Sequence, residues 1–336
     1  MIDIDLPSMN YILVSLAISA IVFLFTMILM PPLIRKLRKM GITGTDYHKV
    51  AKPEIPEMGG IGILTTIMVG TILAFTLIPT TRIAILSAML MIATGALIGL
   101  IDDIWTLGPK IKPLLSVLAC WPLFLFNIYT PYPVIPIIGG TRLTTIYPLL
   151  ILVGTAMAAN SVNMLDVLNG AMPSTCIPVA LALLVCSLVL GSTNGMVLSA
   201  ILASSLIGYY RFNKFPARVF SGDVGSFTVG TTIATIAVIG RLEVVAVIAM
   251  IPFVMNSFHS LASIGRLFER RQIRQRPTYL LRDARIAANP DPKAPLTLTR
   301  IIVANTPLRE NEVVKVFLVL STFSSILAIM TAILFL

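Results

Sequence analysis

Two adjacent carboxylates, Asp102 and Asp103, close a long apolar run at Gly99-Leu-Ile-Asp102-Asp103-Ile104. Acids at a helix C-terminus oppose the macrodipole, so the placement costs stability and favours a functional reading over a plain polar helix end. Neighbouring helical residues diverge by about 100°, so both can face one pocket only where the helix frays. Lys112 follows in Lys110-Ile-Lys112-Pro113. Further on, Asn160-Ser-Val-Asn163-Met-Leu-Asp166-Val-Leu-Asn169-Gly170 carries an oxygen-bearing side chain at every third position and no Lys or Arg. That spacing gives one polar stripe on a helix, and its oxygens suit a hard cation such as Mg²⁺. The strongest segment is Asn213-Lys-Phe-Pro216-Ala217-Arg-Val-Phe220-Ser-Gly222-Asp223-Val-Gly225. Glycines flank its acid where backbone amides can meet phosphate oxygens, and Phe220 offers a flat face to a base.

Other segments are weaker. Glu57 precedes Gly59-Gly60 after Asp46-Tyr-His-Lys49 and Pro53-Glu-Ile-Pro56, which alone reads as a loop with a Pro/Gly stop. The stretch 265–312 holds ten basic residues against five acids, with Arg274-Gln275-Arg276 at its centre. Arginine binds phosphate bidentately, yet for most of these residues a topological or lipid-facing role is the simpler reading. His48 and His259 are isolated, and Cys120, Cys176 and Cys186 sit in or beside apolar runs as small buried hydrophobes. There is no HExxH, Walker loop or nucleophile elbow.

The elements that must position these groups are set by composition. Of 336 residues, 57% are hydrophobic and 12% charged, against about 25% charged in soluble domains. A water-soluble fold could not bury that much apolar surface, so the expected class is an all-α integral membrane protein. Ten candidate spans emerge: 10–32, 59–79, 82–101, 113–130, 146–160, 174–190, 194–210, 225–240, 243–264 and 313–336. The intervening segments 33–58, 102–112, 161–173, 211–224 and 265–312 contain 21 of the 25 Lys and Arg residues. By the positive-inside rule they are cytoplasmic, and both termini lie outside. The first run is long and its basic residues follow it, unlike a cleavable signal peptide. One catalytic domain over 1–336 is expected, with the active site formed by cytoplasmic loops. The net charge of +10 falls between spans, which argues against nucleic acid as a partner and for the lipid bilayer. Carboxylates at span ends avoid most of the roughly 2.5–3.5 kcal/mol cost of a mid-bilayer charge and can line a cleft open to water and lipid.

Together these motifs resemble the polyprenyl-phosphate N-acetylhexosamine-1-phosphate transferase superfamily, over about residues 35 to 320. Within it, Ile55-Pro56-Glu57, Arg274-Gln275-Arg276 and Asn305-Thr-Pro307-Leu-Arg-Glu310 look more like the archaeal and eukaryotic UDP-N-acetylglucosamine–dolichyl-phosphate N-acetylglucosamine-1-phosphotransferases. Three positions depart from the pattern: Val167 replaces a usual Gly, Asn169 stands where bacterial members have Asp, and Gln275 where relatives place His. The resemblance implies transfer of a sugar-1-phosphate from a UDP-sugar to a polyprenyl or dolichyl phosphate, with release of UMP. It implies Mg²⁺, with Mn²⁺ a compatible substitute, held by Asn163 and Asp223. It also implies that Phe220 stacks on uracil and Asn169 bonds its edge. Lys112, Arg274 and Arg276 would contact the pyrophosphate, Glu57 and Gln275 the sugar, and Asp102 and Asp103 would be the essential acidic pair. A homodimer is compatible with this reading. The membrane would be the cell membrane in a prokaryote and the endoplasmic reticulum in a eukaryote. The rival reading is a multi-pass transporter or flippase, which should show mid-span charges and inverted repeats. A CDP-alcohol-type lipid synthase would need several aspartates on neighbouring turns of one segment, a spacing missing here.

Overall fold

A computed structural model describes residues 7–265 and 275–335. Its helices in chain order are α1 (Met9–Lys39), α2 (Gly60–Leu77), α3 (Arg82–Trp105), α4 (Ile111–Leu118), α5 (Trp121–Leu125), α6 (Tyr147–Leu165) and α7 (Ala171–Val189). They continue with α8 (Thr193–Asn213), α9 (Gly222–Gly240), α10 (Glu243–Ala249), α11 (Ile251–Ile264), α12 (Leu298–Ile302) and α13 (Glu310–Phe335). Among the described residues, eight helices are long and apolar enough to cross a bilayer, or nine if α10 and α11 form one bent span. The chain is thus a multi-pass, helical membrane protein.

The difference from ten spans lies in two places. The expected span 113–130 is two short helices, with Pro122 in the first turn of the second. At about 1.5 Å per residue, Ile111–Leu125 rises roughly 22 Å, short of the roughly 30 Å hydrocarbon core. The expected span 243–264 bends by 64° between α10 and α11, where Pro252 opens the new helix because its ring cannot continue the old one. Elsewhere helices outrun the apolar runs. Helix α1 passes through Pro31 and Pro32 and ends on Lys36, Arg38 and Lys39, cations that suit a helix C-terminus. Helix α6 runs to Leu165, so Asn160 and Asn163 ride on its last turns rather than in a loop.

Helix α9 is the centre of the bundle, packed by α2, α3, α6 and α8 and buried from Val224 to Gly240. Its sequence is rich in Thr and Gly, which lets backbones approach closely. Thr228, Thr232 and Thr235 each return their hydroxyl to the carbonyl four residues back, at 2.6, 2.6 and 2.8 Å, which satisfies these three donors inside the core. The first turn of α9 touches two other backbones. A Cβ on Gly60 would lie 2.1 Å from the Gly225 Cα, and one on Gly99 would lie 2.5 Å from the Asp223 carbonyl oxygen. The three cysteines are free and buried.

Short strands shape the polar ends. Strands β1 (Thr43–Thr45) and β2 (Glu54–Pro56) form a hairpin that returns Glu57 to the end of α1, where its N–H donates to the Ile42 carbonyl at 3.0 Å. A second hairpin, β3 (Val134–Ile135) with β4 (Gly139–Gly140), lies at the other end of the bundle. In the basic segment, β5 (Thr278–Leu280), β6 (Arg285–Ala288) and β7 (Leu308–Arg309) make a small antiparallel sheet leading into α13.

Candidate active site

Four helix ends meet at one end of the bundle: the C-termini of α3 and α6 and the N-termini of α4 and α9. They carry Asp102, Asn163, Lys112 and Asp223. The Lys112 ammonium stands 2.5 Å from Asp102 Oδ2 and 2.8 Å from Asp223 Oδ2, and donates to Asn163 Oδ1 at 3.3 Å. Asn163 Nδ2 donates to Asp223 Oδ1 at 2.5 Å and to Ser226 Oγ at 2.8 Å. Burial disfavours the charged lysine, but Asp223 and Asp102 outweigh it and raise the Lys112 pKa above the ordinary lysine value.

One cation, the Lys112 ammonium, therefore sits within hydrogen-bond range of three oxygens from three separate helices. A divalent ion could take the same three oxygens, since carboxylate and amide oxygens are hard donors of the kind Mg²⁺ prefers. No group of three His, Cys, Asp or Glu side chains forms a metal cage among the described residues. A metal here would take two carboxylates at most and complete its shell from Asn163, substrate and water, as Mg²⁺ commonly does.

The adjacent acids have different surroundings. Asp102 is 5% exposed; it faces Lys112 and accepts the Leu107 N–H at 2.5 Å. Asp103 turns to the other side of α3 and accepts the backbone N–H of Asp223 at 2.8 Å and of Val224 at 2.9 Å. It caps the N-terminus of α9, where a negative charge is stabilised. Gly222 sits at φ +69° between them, and a Cβ there would come within 2.8 Å of Asp103 Oδ2. The divergence of neighbouring helical residues thus splits the pair into one group at the cation and one that holds the helix bearing Asp223.

The remaining candidates have other surroundings. Glu57, Met58 and Asp103 bound a small polar cavity of about 150 Å³ with Gly41, Ile42 and Thr43. Phe220 is half-buried. Its backbone is pinned on both sides, its N–H to the Pro56 carbonyl at 2.8 Å and its carbonyl to the Gly59 N–H at 2.8 Å. Next to it, the Ser221 hydroxyl donates to Asp166, a pairing across 55 residues. Arg276 reaches the N-terminal hairpin, its guanidinium 4.6 Å from the centroid of Tyr47. Gln275 is half-buried; Arg274 lies outside the described residues.

Asn169 stands apart from the cation cluster. It is 3% exposed and belongs to a second polar group with Asp46, Lys49 and Glu310. Its Nδ2 donates to Asp46 Oδ2 at 2.9 Å and its backbone N–H to Glu310 Oε1 at 2.7 Å. Lys49 pairs with Asp46. Burial works against the Asp46 carboxylate, but Lys49 and Asn169 outweigh it and hold its pKa below the usual aspartate value. The sequence reading missed Glu310 as a site residue, because its partner is 141 positions away. Ser226 also went unnoticed, although its place one turn after Asp223 was a usable signal.

Similarities to known proteins cover the part of the chain that carries these residues. Residues 83–241, which carry Asp102, Asp103, Lys112, Asn163, Asn169, Phe220 and Asp223, match the model of glycosyl transferase family 4. The chain is 31% identical to a protein of Sulfolobus acidocaldarius named as a UDP-N-acetylglucosamine–dolichyl-phosphate N-acetylglucosaminephosphotransferase, over 73% of this chain and 77% of that one. It is 28% identical to a glycosyltransferase of Methanocaldococcus jannaschii, over 92% and 94% of the two chains. It is also 30% identical to the phospho-N-acetylmuramoyl-pentapeptide-transferase of Moorella thermoacetica, over 76% and 85%. A chain that combines this degree of identity with this coverage, and whose matched residues build the cation cluster, belongs to glycosyl transferase family 4.

Proposed function

We propose that the chain transfers N-acetylglucosamine-1-phosphate from its UDP-sugar to a polyprenyl or dolichyl phosphate, giving a lipid diphosphate sugar and UMP. The observation that carries this is the convergence of Asp102, Lys112, Asn163 and Asp223 on one point at the ends of four helices. Two anionic substrates, one dissolved and one anchored in the bilayer, must meet where fixed positive charge can offset their repulsion. The relatives above carry transferase names, and none favours the transporter or flippase alternative.

In this reading an oxygen of the lipid phosphate attacks the β-phosphorus of the UDP-sugar. A P–O bond forms there, and the bond from that phosphorus to the oxygen bridging the two phosphates breaks. The electron pair leaves on UMP. Lys112 moves from the carboxylates to the diphosphate, and Asp102, relieved of its partner, accepts any proton remaining on the lipid phosphate. Asn163 and Asp223 would hold Mg²⁺, whose chemistry at this point is to neutralise the diphosphate charge. Both oxygens of Asp103 are occupied by amides, and Asp102 is held by Lys112 and the Leu107 N–H. The two amide bonds argue against Asp103 as the nucleophile of a covalent aspartyl intermediate, and this reading takes direct displacement. The site opens on the cytoplasmic side in this reading, because the loops that border it carry most of the chain's basic residues.

The test is to incubate the purified protein with Mg²⁺, a polyprenyl phosphate and a panel of UDP-sugars, and to measure UMP. UMP should appear with UDP-N-acetylglucosamine and only when the lipid is present. Absence of UMP with every donor would end the assignment.

A further inference from the structure

Asn256 lies within α11, the second half of the bent span, and is 3% exposed. A polar side chain buried in a span marks a contact between helices or a functional role. Both ends of this amide are used. Its Nδ2 donates to the Met164 carbonyl at 3.1 Å, and its Oδ1 accepts the Leu298 N–H at 2.9 Å. Turning the amide over would set donor against donor and oxygen against oxygen, so the partners fix one orientation. The Met164 carbonyl belongs to the last turn of α6, where a helix leaves its carbonyls without intrahelical donors. Its neighbours are met locally. Val162 and Asn163 both accept the Asp166 N–H, at 3.1 and 3.3 Å, and Leu165 accepts the Val167 N–H at 2.9 Å. For Met164 the donor comes from a side chain 92 residues further on. The residue before it, Asn163, places its side chain between Lys112 and Asp223.

The other end of the amide holds the basic segment. Leu298 is the first residue of α12, and a run of hydrogen bonds leads from that helix back to Arg276. Arg300 Nη2 donates to the Asp291 carbonyl at 2.8 Å, the Asp291 N–H to Asn289 Oδ1 at 3.0 Å, and Asn289 Nδ2 to the Arg276 carbonyl at 2.8 Å. A second grip on the same stretch comes from Ser263, whose Oγ accepts the Leu296 N–H at 2.9 Å. It lies about two turns after Asn256, on the same face of α11. Of these two grips, the one at Asn256 also reaches α6. We propose that Asn256 is a positioning residue that ties the last turn of α6 to the basic segment, so that one amide sets both the Asn163 oxygen and Arg276. The inference rests on the transferase reading, in which Asn163 holds the metal and Arg276 contacts the diphosphate.

The experiment measures UMP release by the full-length enzyme across Mg²⁺ and UDP-N-acetylglucosamine series. Asn256→Ala breaks both bonds, and the Mg²⁺ concentration for half-maximal rate and the KM for the UDP-sugar should each rise about fivefold or more. Asn256→Asp keeps an acceptor for Leu298 but has no donor for Met164. It should show the raised Mg²⁺ requirement with the smaller change in KM. Ser263→Ala loosens the same stretch without touching α6, and its Mg²⁺ requirement should match the wild type. A purely structural role would lower Tm and the active fraction and leave both constants alone. Folded Asn256 variants with wild-type constants overturn the proposal, and so does a Ser263→Ala enzyme whose Mg²⁺ requirement rises as far as that of Asn256→Ala. A further measurement needs no variant to fold. In the wild type, Mg²⁺ with UMP should slow hydrogen exchange at the Leu298 amide about threefold or more, because ordering Asn163 steadies the amide that holds it. An unchanged rate at Leu298 overturns the proposal. A wild-type enzyme inert with every UDP-sugar would instead fail the functional reading itself.

Discussion

Replacing Asp103 separates two roles that its position beside Asp102 leaves merged. The carboxylate accepts two backbone N–H groups, from Asp223 and Val224, at the N-terminus of α9. Hydrogen bonds to a charged group contribute about 1.5–3 kcal/mol each, and a charge at a helix N-terminus adds about 0.3–1 kcal/mol. Asp103 is half-buried, so water can replace part of what is lost. Asp103→Asn keeps one acceptor oxygen and should lose roughly 1.5 kcal/mol of local order, about tenfold in rate if all of it reaches Asp223. Asp103→Ala loses both bonds, roughly 3 kcal/mol and about a hundredfold. Because the loss passes through the position of Asp223, the Mg²⁺ concentration for half-maximal rate should rise in both variants. The pH–rate profile should keep its wild-type shape. The assay is UMP release across pH and Mg²⁺ series. An Asp103→Asn enzyme more than about a thousandfold slower, or one that has lost its acidic limb, would refute the positioning role and make Asp103 the proton acceptor.

Other perturbations test neighbouring parts of the account. Asp223→Ala should abolish turnover while the protein elutes as a single folded species; full activity would remove Asp223 from the cation site. Gly60→Val should prevent α2 from seating on α9, since even a Cβ would fall 2.1 Å from the Gly225 backbone. Overpacking of this kind costs typically about 1–3 kcal/mol where neighbours can yield and more against backbone. The variant should lose its sharp thermal transition in detergent, and a wild-type Tm would contradict the packing.

The parts of the site legible from sequence are those where an oxygen-bearing side chain interrupts an apolar run. Asp102, Asn163 and Asp223 stand out in this way, and the structure brings them to one point. Spans were legible wherever an apolar run of about 17–25 residues or more forms one unbroken helix, as in α2, α7 and α13. The run at 113–130 was long enough by composition, but Pro122 restarts the helix and leaves two pieces. The divergence of Asp102 and Asp103 was legible, but which of them meets Lys112 was not, because that depends on how closely α9 docks on α3 through Gly99. The same holds for Asp46, Asn169 and Glu310, whose contacts join positions 123 and 141 residues apart. At the opposite end of the bundle Tyr147 donates to Glu243, a pairing that no local pattern announces. Local chemistry marks candidates, and only the packing of remote elements decides which of them face one another.

The most direct test of the central claim follows a labelled β-phosphate. UDP-N-acetylglucosamine carrying label on that phosphorus is supplied with polyprenyl phosphate, Mg²⁺ and the purified protein, and the lipid and nucleotide products are separated. Displacement at the β-phosphorus puts all transferred label in the lipid fraction and leaves UMP unlabelled. Labelled UDP released beside an unlabelled glycolipid would show cleavage at the sugar carbon instead, and would contradict the account.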